Sequence, residues 1–219
     1  DNSVARVKTK NQINATALST VNANYIGTDG TWYYFNNDSI GIRALSAAMY
    51  VAKETSTVDN SASDNVVELM KDVTATTAGA AENTWLYVDN WASTLPIKKD
   101  KVKLTIRSNT ANGNTTRSTI TDEINGNYNF IEIQGLDNEI VFDNINFKGK
   151  STNTSSRIIV FGNKFIDNTN GNPSSITFKD VTFEDFNNIS GWTPLIHDES
   201  ANQKYGSTFI FDGDVLFKN

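Results

Sequence analysis

Apolar and polar positions alternate along much of the chain in runs too short for helices, and the runs recur. Val102-Lys103-Leu104-Thr105-Ile106 puts apolar residues on one side of a strand and polar ones on the other, the period of two that a half-buried strand requires. Three later segments align with one another. They are Ile140-Val141-Phe142-Asp143-Asn144-Ile145-Asn146-Phe147, then Ile176-Thr177-Phe178-Lys179-Asp180-Val181-Thr182-Phe183, then Phe209-Ile210-Phe211-Asp212-Gly213-Asp214-Val215-Leu216-Phe217, the last with one extra residue. Phe142, Phe178 and Phe211 recur at intervals of 36 and 33 residues, and Phe147, Phe183 and Phe217 at 36 and 34. Each segment reads as two short strands joined by a polar pair such as Asp143-Asn144 or Lys179-Asp180. A third strand per unit is predicted from Phe130-Ile131-Glu132-Ile133, Ile158-Ile159-Val160-Phe161 and Pro194-Leu195-Ile196-His197. Unit lengths differ by a few residues because lengthening a surface loop costs little.

A two-residue turn between short strands cannot build a hairpin if the next unit repeats the same pattern. It suits a corner, with successive units stacked and each strand paired in parallel with its counterpart one repeat later. The inward positions would be Ile140, Phe142, Ile145 and Phe147 in one unit and Ile176, Phe178, Val181 and Phe183 in the next, so that Phe stacks on Phe. The outward positions, Val141, Thr177 and Ile210 with Asn146, Thr182 and Leu216, are free to vary. The expected fold is mainly β, a right-handed parallel β-helix. An antiparallel sandwich would explain short strands and turns, but not two phenylalanines recurring at matched spacing.

The first part of the chain reads differently. Residues 1–24 are polar and weakly periodic, and Ala15 to Thr20 form a short helix or a tail. The aromatic run Trp32-Tyr33-Tyr34-Phe35 follows Gly27-Thr28-Asp29-Gly30 and predicts a turn entering a strand. Ile42, Leu45, Met49 and Ala52 recur at helical steps and predict a helix over 40–54, with Ser39 as its cap. Val66 to Met70 predicts a strand that Lys71-Asp72-Val73-Thr74 continues, and Trp85-Leu86-Tyr87-Val88 another. Leu95-Pro96-Ile97-Lys98-Lys99 then leads into the alternating strand above. The expected division is an N-terminal cap or small subdomain over residues 1–94 and stacked units over 95–219.

Composition narrows the function. A formal charge of −6, from 19 basic and 25 acidic residues, argues against a nucleic-acid binder, which needs a basic stripe. No apolar run approaches a membrane span. The absence of cysteine excludes disulfides, zinc–thiolate sites and cysteine nucleophiles. The abundance of Asn, Thr, Ser and Asp, with three prolines, fits a turn-rich extracellular β protein.

From Gly41 to Asn219 the chain resembles the pectate-lyase-like β-helix domains of Gram-positive surface adhesins, among them epithelium-binding adhesins of lactobacilli. The resemblance rests on the helix near 41–54, the strand of Val66 to Thr74, the passage from Leu95 to Ser108, and the Ile-x-Phe-x-x-Val/Ile-x-Phe units. It implies an exported, cell-wall-attached protein. Residues 1–40 fall outside it. The sequence stops at Phe217-Lys218-Asn219 straight after a strand and without a polar cap, so the natural polypeptide is expected to continue.

Enzymes on such a fold gather carboxylates across neighbouring repeats, with calcium and a basic residue in lyases or paired aspartates in hydrolases. Asp143, Asp180 and Asp212 lie near one corner, Asp180 one place later than Asp143, and a carboxylate there can simply accept turn N–H groups. Arg107, Arg117 and Arg157 lie far from that corner in sequence. His197, the only histidine, is followed by Asp198-Glu199. Asp212-Gly213-Asp214 resembles part of a calcium loop, and Asp212 and Asp214 are the candidate metal ligands. Sugar rings stack on Trp and Tyr, which makes Trp192, Trp85, Tyr87 and Trp91, with His197, the candidate ligand-binding residues. Trp32, Tyr33 and Tyr34 complete the aromatic pool. Trp192 leads because it follows the polar loop 187–191. The expectation is a monomeric adhesion module for host or plant glycans, or matrix glycoproteins, needing no cofactor unless calcium. A lyase or hydrolase of acidic polysaccharide is the first alternative and a structural spacer the second.

Overall fold

A computed structural model describes residues 2–37, 41–76, 93–110, 116–123, 128–149, 156–161, 172–186, 195–198 and 208–218. The chain is mainly β with parallel sheets. In order it forms β1 (Ala5–Lys8), α1 (Ala15–Val21), β2 (Tyr25–Thr28), β3 (Tyr33–Phe35), α2 (Gly41–Thr55), β4 (Val66–Leu69), β5 (Val73–Ala75), β6 (Ser93–Lys98), β7 (Lys103–Ser108) and β8 (Ser118–Asp122). There follow β9 (Tyr128–Gln134), β10 (Glu139–Asp143), β11 (Ile145–Lys148), β12 (Ser156–Phe161), β13 (Ser175–Lys179), β14 (Thr182–Glu184), β15 (Ile196–Asp198), β16 (Thr208–Asp212) and β17 (Leu216–Lys218).

From β4 onward each strand pairs in parallel with the third strand along. One sheet runs β16-β13-β10-β7-β4-β1-β3-β2, a second β17-β14-β11-β8-β5, and a third β15-β12-β9-β6. The register matches equivalent residues of the repeat: Ile140 with Ile176, Phe142 with Phe178, Phe178 with Phe211, and Phe147 with Phe183. The alternation explains the packing. Ile140, Phe142, Ile145, Phe147, Ile176, Phe178, Val181 and Phe183 are all buried. Phe142 and Phe178 stack with centroids 5.7 Å apart, Phe178 and Phe211 at 5.6 Å, Phe147 and Phe183 at 5.4 Å, and Phe183 and Phe217 at 5.1 Å. The two columns meet edge to face, as at Phe142–Phe147, a geometry that suits the ring quadrupoles.

In three repeats the corner between the first two strands opens with one residue in the left-handed region: Asn144 (φ 56°), Asp180 (φ 52°) and Gly213 (φ 64°). Asn, Asp and Gly enter that region at least cost. This revises the expected corner. Asp143 aligns with Lys179 and Asp212 on the strands, whereas Asp180 occupies the turn position of Asn144. A second revision concerns residues 66–74, read above as one strand. They are two strands, β4 and β5, in different sheets. Parallel pairing therefore begins at Val66, opposite Thr105, well before residue 95. Thr182, expected to point outward and vary freely, is buried, and its hydroxyl accepts a 2.7 Å bond from Arg117 Nη1.

The N-terminal residues close one edge. β1 lies antiparallel between β4 and β3, and β2 completes the hairpin. The exposed backbone edge of β4 is thereby paired within the same chain. α2 packs on β1, β3, β4 and β5. Its Ile42, Leu45, Met49 and Ala52 are buried, together with Ala44, Ala47, Ala48 and Val51, so it is apolar on more than one stripe, as a core helix must be. Ser39, its expected cap, lies outside the described residues. α1 is a helix, and its Asn14 caps it by accepting from Ala17 N at 2.6 Å.

Candidate binding face

The outward face of the eight-stranded sheet carries a row of charges. Register places Arg6 of β1 beside Glu68 of β4, Glu68 beside Arg107 of β7, Arg107 beside Asp143 of β10, Asp143 beside Lys179 of β13, and Lys179 beside Asp212 of β16. The sign alternates at every step across six strands. Arg107, which lies far from Asp143 in sequence, is its direct neighbour here.

The row is tightest around Glu68. Its side chain is only 4% exposed. Arg6 donates from Nε and Nη2 to one carboxylate oxygen at 2.8 and 2.6 Å, and Arg107 donates from the same two atoms to the other at 2.9 and 2.6 Å. A carboxylate removed from water costs several kcal/mol unless its oxygens are matched by charged donors, and here both are. The Arg6 guanidinium in turn lies 4.1 Å from the centroid of Trp32, with Lys8 Nζ at 5.3 Å from the same ring, within cation–π range. Trp32 is placed by its turn. Asp29 accepts from the Thr31 and Trp32 N–H groups at 2.8 and 2.7 Å and from the Tyr34 hydroxyl at 2.6 Å. These bonds, the Trp32 N–H first, hold the Asp29 carboxyl down at about 2. The same contact pushes the Tyr34 hydroxyl up.

Beside the row runs a groove of about 500 Å³. Lys8, Arg107, Asp143 and Lys179 line it, with Val66 and Val141 among the floor residues. Ser61, Ser63 and Glu139 also line it, and Glu139 is 3.7 Å from Lys103 Nζ. The loop carrying the serines is fixed by Thr105, whose hydroxyl donates to the Ala62 carbonyl at 2.9 Å. The groove therefore has rigid strands beneath it and mixed charge, hydroxyl and aliphatic surface on its sides.

Of the residues singled out from sequence, Trp192, Trp85, Tyr87 and Trp91 lie outside the described residues. His197 lies on β15 in register with Val160 of β12, in the third sheet. Arg157 is on β12 in that sheet, opposite Asn129. Arg117 lies just before β8, where Nε donates to Asn144 Oδ1 at 3.1 Å. Asp212 ends β16 and Asp214 follows Gly213. At that turn Asp180 Oδ1 accepts from the Asp214 N–H at 2.9 Å, the turn-stabilising work open to a corner carboxylate. Among the described residues no three His, Cys, Asp or Glu side chains gather around one point as metal ligands would. Likewise, no described helix is long and apolar enough to cross a membrane. The sequence pool contained Trp32, but Lys8, Arg107, Asp143 and Lys179 were not connected with it as a face. The missed signal is the residue following the inward apolar position in each repeat: Glu68, Arg107, Asp143, Lys179 and Asp212. No protein-family model, curated protein or solved structure matches the chain.

Proposed function

We propose that the chain is a right-handed parallel β-helix, closed at one end by its N-terminal residues, that works outside the cell as a non-enzymatic surface adhesion module. Its ligand is a host or plant glycan, or a glycoprotein bearing one. Three sheets whose strands pair at every third position support the β-helix reading, and parallel crossovers are almost always right-handed. The observation that carries the binding reading is the groove beside the charge row. It combines hydroxyl, aliphatic and charged side chains on a rigid sheet, the mixture that a sugar with its hydroxyls and apolar C–H faces requires. Along the row each carboxylate has at least one cation as its register neighbour. Carboxylates interleaved with cations in this way suit recognition better than the gathered carboxylates of a lyase or hydrolase.

The test is a glycan and matrix-glycoprotein array with the 219-residue chain, run with calcium and with chelator, alongside a turnover assay on polygalacturonate. Saturable binding without product is the expected result. Product release would overturn the adhesin reading in favour of the lyase, and the absence of both would leave a spacer.

A further inference from the structure

Within the groove, accessible cations stand on every second strand. Lys8 is on β1, Arg107 on β7 and Lys179 on β13, in the sheet order β1-β4-β7-β10-β13. Strands lie about 4.8 Å apart, so Arg107 and Lys179, in one row, are about 10 Å apart across the sheet, while Lys8, in register with Val66, stands two residues along its strand from that row. Between them stand Glu68, buried under its two arginines, and Asp143, half-buried and lining the groove. Among the described residues neither Lys8 nor Lys179 has a carboxylate within ion-pair distance. The chain as a whole carries −6, yet its groove presents these three cations, Arg107 with only the part of its guanidinium that Glu68 leaves exposed, against Glu139 and Asp143, and Glu139 is drawn to Lys103.

A sugar residue of an extended glycan spans about one strand spacing. A chain laid across the strands thus places one sugar on each strand, and every second sugar faces a cation. We propose that the groove takes a linear glycan in which a sugar bearing a carboxylate or sulfate alternates with a neutral one. The acidic sugars meet Lys8, Arg107 and Lys179, and a neutral sugar covers Asp143. Val66 and Val141, in the neighbouring row on β4 and β10, offer apolar contact to the neutral sugars between the cations. A homopolymer of acidic sugars would set a carboxylate against Asp143, and like charges in contact penalise the wrong partner. A neutral chain would leave the cations unused. The inference rests on the glycan-binding reading and names its ligand class.

Isothermal titration of the 219-residue chain, in chelator to remove calcium bridging, would compare three octasaccharides: hyaluronan, polygalacturonate and N-acetyllactosamine. Hyaluronan is expected to bind tightest, with affinity falling as salt rises. Lys8→Gln and Lys179→Gln are each expected to weaken it about three- to tenfold. Asp143→Asn is expected to strengthen polygalacturonate about tenfold relative to hyaluronan, a change of selectivity that a purely structural role would not produce. Equal or tighter binding of polygalacturonate by the unaltered chain would overturn the proposal, as would hyaluronan binding indifferent to both lysine changes. If hyaluronan does not bind but another glycan or glycoprotein saturates the chain, this inference fails and the adhesin reading stands. If nothing saturates it, both fail.

Discussion

Phe178 and Phe211 occupy the same repeat position, one strand apart, and differ in cover. Phe178 is fully buried between Phe142 at 5.7 Å and Phe211 at 5.6 Å, with Phe183 edge-on at 5.5 Å. Phe211 is 53% exposed and, among the described residues, stacked on one side only. Truncating a fully buried Phe forfeits its transfer free energy and leaves a cavity that rigid strands cannot close, together about 3–5 kcal/mol. For Phe211 roughly half the transfer free energy of ~1.5–3 kcal/mol is at stake and no closed cavity forms, so the loss is about 1 kcal/mol. Phe178→Ala and Phe211→Ala should therefore differ by about 3 kcal/mol. With a urea m-value near 2–3 kcal/mol per M, that is a midpoint difference of roughly 1 M or more. Urea titrations of both variants, followed by circular dichroism and tryptophan fluorescence, measure it. Equal losses at the two positions would refute the reasoning, because burial and stacking would then not set the cost.

Glu68→Gln removes the charge that holds two guanidiniums and should cost about 2–3 kcal/mol, less than a fully buried pair because Arg107 is partly hydrated; its urea midpoint reads this. Gly213→Ala should destabilise by about 1 kcal/mol or more, since Gly213 has φ +64° and an added Cβ would meet Asp180 Oδ1; thermal melts check it. Asp29 titrates below its ordinary range, so its contribution to the β2–β3 turn is fully present above the unfolded carboxylate value and is lost as the pH falls through about 2. Trp32 and Tyr34 amide shifts followed by NMR from pH 5 to pH 2 should move in that window, and Asp29→Asn should abolish the movement.

The inward half of the repeat was legible because an apolar position every second residue, recurring as Phe, leaves few alternative packings. The corner between β4 and β5 escaped because their inward residues are Val67, Leu69, Val73 and Ala75, which carry no Phe marker. The polar stretch between them then read as a continuation rather than a corner. The role of Arg6 could not be read at all. It enters the row through an antiparallel insertion from outside the repeat, and pairing at that distance leaves no local pattern. The charge row was visible at a fixed repeat position, but Asp143, Asp180 and Asp212 were grouped by residue type. Register separates them, since a shift of one residue exchanges a strand position for a turn position.

The alternation of sign has a consequence for pairing order. Inward positions of neighbouring repeats are nearly interchangeable: Phe142, Phe178 and Phe211 would stack equally well in any order. The outward row is not interchangeable. If β10 met β16 directly, Asp143 would face Asp212, whereas β13 between them supplies Lys179 to both. Opposite charges across strands contribute roughly 0.2–1 kcal/mol per pair, and like charges cost similar amounts. Lys179→Glu replaces a cation that stands in register between Asp143 and Asp212, beyond ion-pair distance of both, by a third carboxylate in the row. The expected loss is about 1–3 kcal/mol. Lys179 and Asp212 are exposed and Asp143 is half-buried, so salt should screen much of the effect, and 1 M sodium chloride should restore most of the stability in thermal melts. Lys179→Gln, which removes attraction without adding repulsion, should lose about half as much. A Lys179→Glu variant as stable as Lys179→Gln at low salt would show that the row does not bias the order in which these strands pair.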